Sequence, residues 1–145
     1  MRIYTILLAF LVLGTGSVFS QKTFGVYDLM NLKFVGATAI SPNGKKVAYT
    51  VMKRRPLKEG AGSNFYELHV LDIKTGTSKF YFSHKGSISG LSWKPNTETI
   101  TFLASLNEGK QVYGIDLNGG SYYPITQIKH SFGGFDWHPS GNSLA

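Results

Sequence analysis

The chain has 145 residues, no cysteine and a formal net charge of +7, from 15 Lys and Arg against 8 Asp and Glu. The missing cysteine excludes a disulfide framework, thiol catalysis and lipid-modified cysteine. An aromatic content of 14% with 17 glycines suits a turn-rich β protein, and helix-favouring runs are scarce.

Residues 1–20 read as a secretory signal peptide. Arg2 supplies the positive start, residues 6–13 form an apolar core, and Val18, Phe19 and Ser20 occupy the expected cleavage positions, leaving Gln21 as the mature start. The apolar run is far shorter than the roughly 20 residues a spanning helix needs. The protein is therefore expected to be exported, to the periplasm or beyond. Residues 21–35 form a lead-in. Within it Val26, Met30 and Phe34 fall at i, i+4 and i+8, with Leu29 and Leu32 alongside, which predicts a short helix over residues 24–35 covering an apolar surface.

From Gly36 the pattern is β. Ser41, Pro42, Asn43 and Gly44 fit a type I turn. Val47, Tyr49 and Val51 alternate with Ala48, Thr50 and Met52, and a proline- and glycine-bearing loop follows over residues 53–64. Strands are predicted over residues 65–73 and 79–82, joined by the turn at Lys74, Thr75, Gly76 and Thr77. The order then repeats, with strands over 88–93, 99–105, 111–117 and 122–126, and a third round opens at 132–137.

The repeat has a measurable step. Trp93 and Trp137 stand 44 residues apart, as do Pro95 and Pro139, and Asp72 and Asp116. Pro42 to Pro95 spans 53 residues, nine more than the period, and the surplus falls in the loop over residues 53–64. A period of about 40–45 residues with strand content marks propeller blades. Residues 68–71 and 100–103 are apolar on both faces, as expected of sheets pressed between two neighbours. The fold class is thus all-β: a partial β-propeller of about two and a half four-stranded blades over residues 36–145. A chain stopping at Leu144 and Ala145, inside a repeat, is expected to be a fragment of a longer one, and its blades alone are expected to be marginally stable.

Few residues suggest chemistry. His69, His84, His130 and His138 have no metal-ligand spacing, so no metal site is assigned. Gly86, Ser87, Ile88, Ser89 and Gly90 imitate a nucleophile elbow, but Ile88 holds the serine position and the context is loop into strand. Gly114, Gly119 and Gly120 lie in a strand and a hairpin rather than a phosphate-cradling loop. Lys53, Arg54, Arg55 and Lys58, with Lys45 and Lys46 nearby, read as a solvated rim, and nucleic acid is an improbable partner for an exported chain. Trp93 and Trp137 recur in register and read as packing residues. No catalytic, cofactor-binding or metal residue is assigned within this chain, and no cofactor is expected.

The run from Tyr27 to Lys33, continued by residues 37–51, resembles the opening of secreted bacterial serine peptidases of the prolyl oligopeptidase family, in the acylaminoacyl-peptidase and dipeptidyl-peptidase branch. Trp93-Lys94-Pro95, Trp137-His138-Pro139 and Asp116-Leu117-Asn118-Gly119-Gly120 follow that family's propeller repeat. Ile40 departs from it in place of tryptophan, as do Asn43, Asn96 and Ser140 in place of aspartate. Thr97 stands where the turn glycine belongs, so that turn is expected to differ in shape. The resemblance implies a seven- or eight-bladed propeller that admits peptide substrates by size to a C-terminal hydrolase domain beyond Ala145, which carries the Ser, Asp and His triad. It also implies that the stretch around Tyr27 to Val35 packs near that domain. The alternative is a non-catalytic periplasmic propeller that binds protein partners, like that of the Tol envelope system, which shares the Trp-x-Pro repeat. Oligomeric state is not encoded in any motif.

Overall fold

The computed structural model describes residues 22–107 and 109–145. The signal peptide expected over residues 1–20 lies outside them. Among the described residues no helix is long and apolar enough to cross a membrane.

The expected helix over residues 24–35 is corrected to a single short one, α1 (Val26–Met30). The Gly25 backbone N–H donates to Asp28 Oδ2 at 2.9 Å and caps its start. None of its residues is buried, so no packing supports further turns. Phe34 and Val35 instead belong to β1 (Lys33–Ile40), where they pair with Met52 and Val51 of β2 (Lys46–Lys53). The ladder satisfies their backbone groups, and the apparent helical spacing of Val26, Met30 and Phe34 carries no face.

β1 and β2 continue through β3 (Phe65–Asp72) and β4 (Ser78–Lys85) into a four-stranded antiparallel sheet in sequence order. β5 (Ser89–Trp93), β6 (Thr99–Asn107), β7 (Gly109–Asp116) and β8 (Tyr122–Pro124) form a second sheet of the same order. The surplus residues form the β2–β3 loop, with a 3-10 turn at Leu57–Glu59. The third repeat is less regular than expected. The strand predicted over residues 132–137 is absent, and pairing is confined to the bridge between Trp137 and Leu144 and its flanking bonds from Asp136, His138 and Ala145. Just upstream, the backbone is tied to the second sheet instead: Phe132 N–H donates to Lys110 O at 2.8 Å, and Lys110 N–H to Ser131 Oγ at 3.1 Å.

The proline turns differ as the sequence implies. Gly44 (φ +68°) and Gly141 (φ +74°) hold the left-handed position of the first and third turns, whereas in the second it moves one residue earlier, to Asn96 (φ +59°). Thr97, where the glycine would stand, donates its hydroxyl to Lys94 O and accepts from Thr99 N–H. Asparagine tolerates this backbone region and β-branched residues do not. Asn96→Val is expected to cost about 1–2 kcal/mol, while Asn96→Gly leaves stability unchanged or raises it. Urea midpoints of the two variants against the parent check this.

The core lies between the sheets. Ala48, Leu68 and Val70 of the first pack with Ile100, Phe102, Tyr113 and Ile115 of the second. β6 is buried without a break over residues 99–104. Phe102 faces the first sheet, against Phe82, while Thr101 faces the third repeat and accepts from Trp137 Nε1 at 2.9 Å. Burial without alternation is what covering both faces produces, with Thr99 and Thr101 the buried polar members of the run.

Candidate functional site

The sequence assigns no catalytic residue, and the residue types it weighed for chemistry are placed as follows. The four histidines lie apart: His69 in β3, His84 in β4, His130 between β8 and the third repeat, and His138 in the third turn, where it bonds Ser140. Among the described residues no group of three His, Cys, Asp or Glu side chains could hold a metal. In the elbow-like stretch, Ile88 is buried in the core while Ser87 is exposed, so it is a glycine-led entry into β5.

What the fold does build is a seam and two rims. At the seam Trp93 is buried and its Nε1 donates to Ala39 O at 3.0 Å, reaching back to the first sheet. Trp137 repeats the device one period later on Thr101. Trp93 is therefore a packing residue, as its register predicts, whereas Trp137 is half-buried, with Lys94 Nζ 5.3 Å from its ring centroid. Lys46 forms an ion pair with Glu98 across the seam. At the turn end a cleft of about 280 Å³ opens between Ser41, Pro42 and Asn43 on one side and Asn96, Thr97 and Glu98 on the other.

At the opposite rim the basic cluster is dispersed rather than shared. Lys53 pairs with Glu67. The Arg55 side chain is 15% exposed and its Nη2 donates to Glu59 O at 2.8 Å, while its backbone N–H donates to Asn64 Oδ1 at 3.1 Å. A Cβ on Gly62 would lie 2.0 Å from Arg55 Nη1, so any larger residue there would displace the guanidinium. Arg54 and Lys58 remain exposed, Arg54 over the ring of Phe34.

Gln111 is the structural residue that sequence reasoning missed. It is buried, and its Nε2 donates to Ile128 O and His130 O, while its Oε1 accepts from Thr126 Oγ1 and Ile128 N–H. One amide thus fastens the crossover leaving β8, with all four of its hydrogen-bonding capacities used. The available signal was its place, 44 residues after Glu67, as a polar residue opening an apolar run.

Glu67 is itself constrained. Burial pushes its carboxyl up, but hydrogen bonds from Lys53 and His69 and their charges together outweigh that and hold it below its ordinary value of 4.5. A depressed carboxyl stabilises the fold above the unfolded value and loses that contribution as pH falls through the lower native one. The chain is thus expected to lose stability below about pH 4.5, and Glu67→Gln to flatten that part of the profile. Urea midpoints measured from pH 6 downwards for both proteins check the slope.

Beside β1 the lead-in is bare. Phe24, Val26, Tyr27, Leu29, Leu32, Phe34 and Val35 are all exposed, Tyr27 by 81%. A run of exposed apolar side chains of this kind is a candidate contact surface.

No family model matches the chain. Dipeptidyl-peptidase 5 of Porphyromonas gingivalis is 30% identical over 98 residues, which cover 66% of this chain and 14% of that protein. The chain therefore spans about a seventh of that relative's length. TolB from Acinetobacter baumannii superposes with a TM-score of 0.60 at 22% identity, over 77% of this chain and 26% of that one. Pyrococcus horikoshii acylaminoacyl peptidase gives 0.62 at 16% identity, over 80% and 17%. The two sheets are β-propeller blades, and the chain is part of a propeller. Propellers of this type accompany peptidases and also occur in TolB.

Proposed function

We propose that this chain opens the propeller of an exported serine peptidase and screens peptide substrates by size before they reach an α/β-hydrolase domain outside residues 1–145. The observation that carries this reading is the bare apolar lead-in, from Phe24 to Val35, flanking the first blade. A second domain of the same protein covers such a surface. The similarity to dipeptidyl-peptidase 5 supports a peptidase as the parent. In that domain a serine attacks the peptide carbonyl, a histidine takes its proton and an aspartate orients the histidine. The blades described here contribute walls and no reacting group.

The second reading is a non-catalytic propeller that binds protein partners, and the superposition on TolB is compatible with it. The two separate on covalent labelling. A fluorophosphonate, which phosphonylates activated serines, is expected to label the full-length gene product at one serine outside residues 1–145 and to stop its hydrolysis of chromogenic dipeptides. A product that neither reacts nor hydrolyses any peptide of the panel removes the peptidase reading and leaves the partner-binding one.

A further inference from the structure

Two asparagines of the chain precede a glycine, Asn43 and Asn118, and the fold treats them oppositely. Both are exposed and both lie in turns. The Asn43 amide is held, because its Oδ1 accepts from Ser41 Oγ at 2.8 Å and from Lys45 N–H at 3.0 Å. The nitrogen that follows is held too, since Gly44 N–H donates to Ser41 O at 2.8 Å. At the second site neither group is tied. Among the described residues the Asn118 side chain and the Gly119 N–H form no hydrogen bond.

The β3–β4 turn, one period earlier, shows the difference. There Asp72 Oδ1 accepts from Thr75 N–H at 2.9 Å, and Thr75 is the counterpart of Gly119, 44 residues before it. In the β7–β8 turn Asp116 Oδ1 accepts from Asn118 N–H instead, at 2.8 Å, and leaves the next N–H free. Both turns keep the same closing bond, from Gly76 N–H to Asp72 O and from Gly120 N–H to Asp116 O. A Cβ on Gly119 would meet nothing within 4 Å. The approach to its nitrogen is therefore open, and without a side chain its backbone turns freely.

We infer that Asn118 is a site of spontaneous deamidation and that Asn43 is protected from it. The Gly119 nitrogen attacks Asn118 Cγ, and the new C–N bond closes a five-membered succinimide. The side-chain amide nitrogen leaves as ammonia, taking up the proton that Gly119 N–H gives away. Water then opens the ring at either carbonyl and yields aspartate or isoaspartate. The change consumes only water, and nothing is oxidised or reduced. It sets a second carboxylate close to Asp116, and isoaspartate lengthens the hairpin backbone by one atom. The reaction is independent of the function proposed for the parent protein.

Ageing the full-length gene product at mildly alkaline pH tests this. Trypsin, used at mildly acidic pH to stop further reaction, releases Asn43 within residues 34–45 and Asn118 within residues 111–129. Mass spectrometry reads the gain on exchanging the amide for a carboxyl, and chromatography separates isoaspartate, the mark of the cyclic route. Conversion at Asn118 is expected to run about tenfold faster than at Asn43, the rate equivalent of one hydrogen bond's net strength. Unfolding in urea is expected to bring the two rates together. No conversion at Asn118, aspartate there without isoaspartate, equal or faster conversion at Asn43 in the folded protein, or a gap that survives in urea overturns the inference.

Discussion

Phe102→Ala is expected to abolish the cooperative unfolding transition of this chain. Phe102 is fully buried, with Phe82 on one side and Tyr113 beside it, at the centre of the contact between the blades. Removing a buried phenylalanine ring costs about 3–5 kcal/mol, because the transfer energy is lost and the cavity only partly collapses. Whole domains hold only about 5–15 kcal/mol, and two blades with a bare outer face sit at the lower end. Phe102→Leu keeps most of the volume and is expected to cost about 1.5 kcal/mol or somewhat more. Far-UV circular dichroism against urea separates them: a sloping baseline for the alanine variant, and a shifted but cooperative transition for the leucine one. An alanine variant that unfolds cooperatively within 1 kcal/mol of the parent would show that the blades do not depend on this contact.

Gln111→Met is expected to cost about 1–2 kcal/mol, the loss of a buried amide that gathers four hydrogen bonds, some of which water can replace at the exposed Ile128 and His130. Methionine has nearly the same length and no polar head. Ile128 O, His130 O, Ile128 N–H and the Thr126 hydroxyl would lose their shared partner. Thr126 matters twice, because its hydroxyl also accepts from Val112 N–H at 2.9 Å. The crossover over residues 125–131 should loosen before the sheets do. Amide hydrogen exchange by mass spectrometry is the direct measurement: faster exchange confined to residues 125–132, with β6 unchanged, is the expected pattern. Uniformly faster exchange would mean that Gln111 acts on global stability and not on the crossover.

Much of the fold was legible because it repeats. Trp93 and Trp137, Pro95 and Pro139, and Asp72 and Asp116 gave the step, and the doubly apolar run at residues 100–103 gave burial on both faces. Asn96 could be anticipated as an altered turn from Thr97 alone, since an absent glycine forces the left-handed backbone elsewhere. What misled was periodicity over a short window. Val26, Met30 and Phe34 satisfy a helical spacing, yet Phe34 pairs with Met52 in a ladder, and long-range pairing overrides local spacing. Residues 132–137 misled for another reason: their place in the repeat suggested a strand, but they carry Gly133, Gly134 and Asp136, which strands disfavour, and Phe132 is drawn to Lys110 of the second blade. Gln111 and Arg55 stayed hidden because their roles depend on loops whose backbone groups converge only in three dimensions. Of the candidate surfaces, the exposed lead-in lay in a stretch singled out by family resemblance.

The central claim, that these blades open the propeller of a serine peptidase, is tested most directly by reading the coding sequence past the Ala145 codon. The account predicts further repeats of about 44 residues, followed by a strand-to-helix Gly-x-Ser-x-Gly and then by Asp and His in that order. A frame that closes after the repeats, or continues into a wall-binding domain, contradicts it.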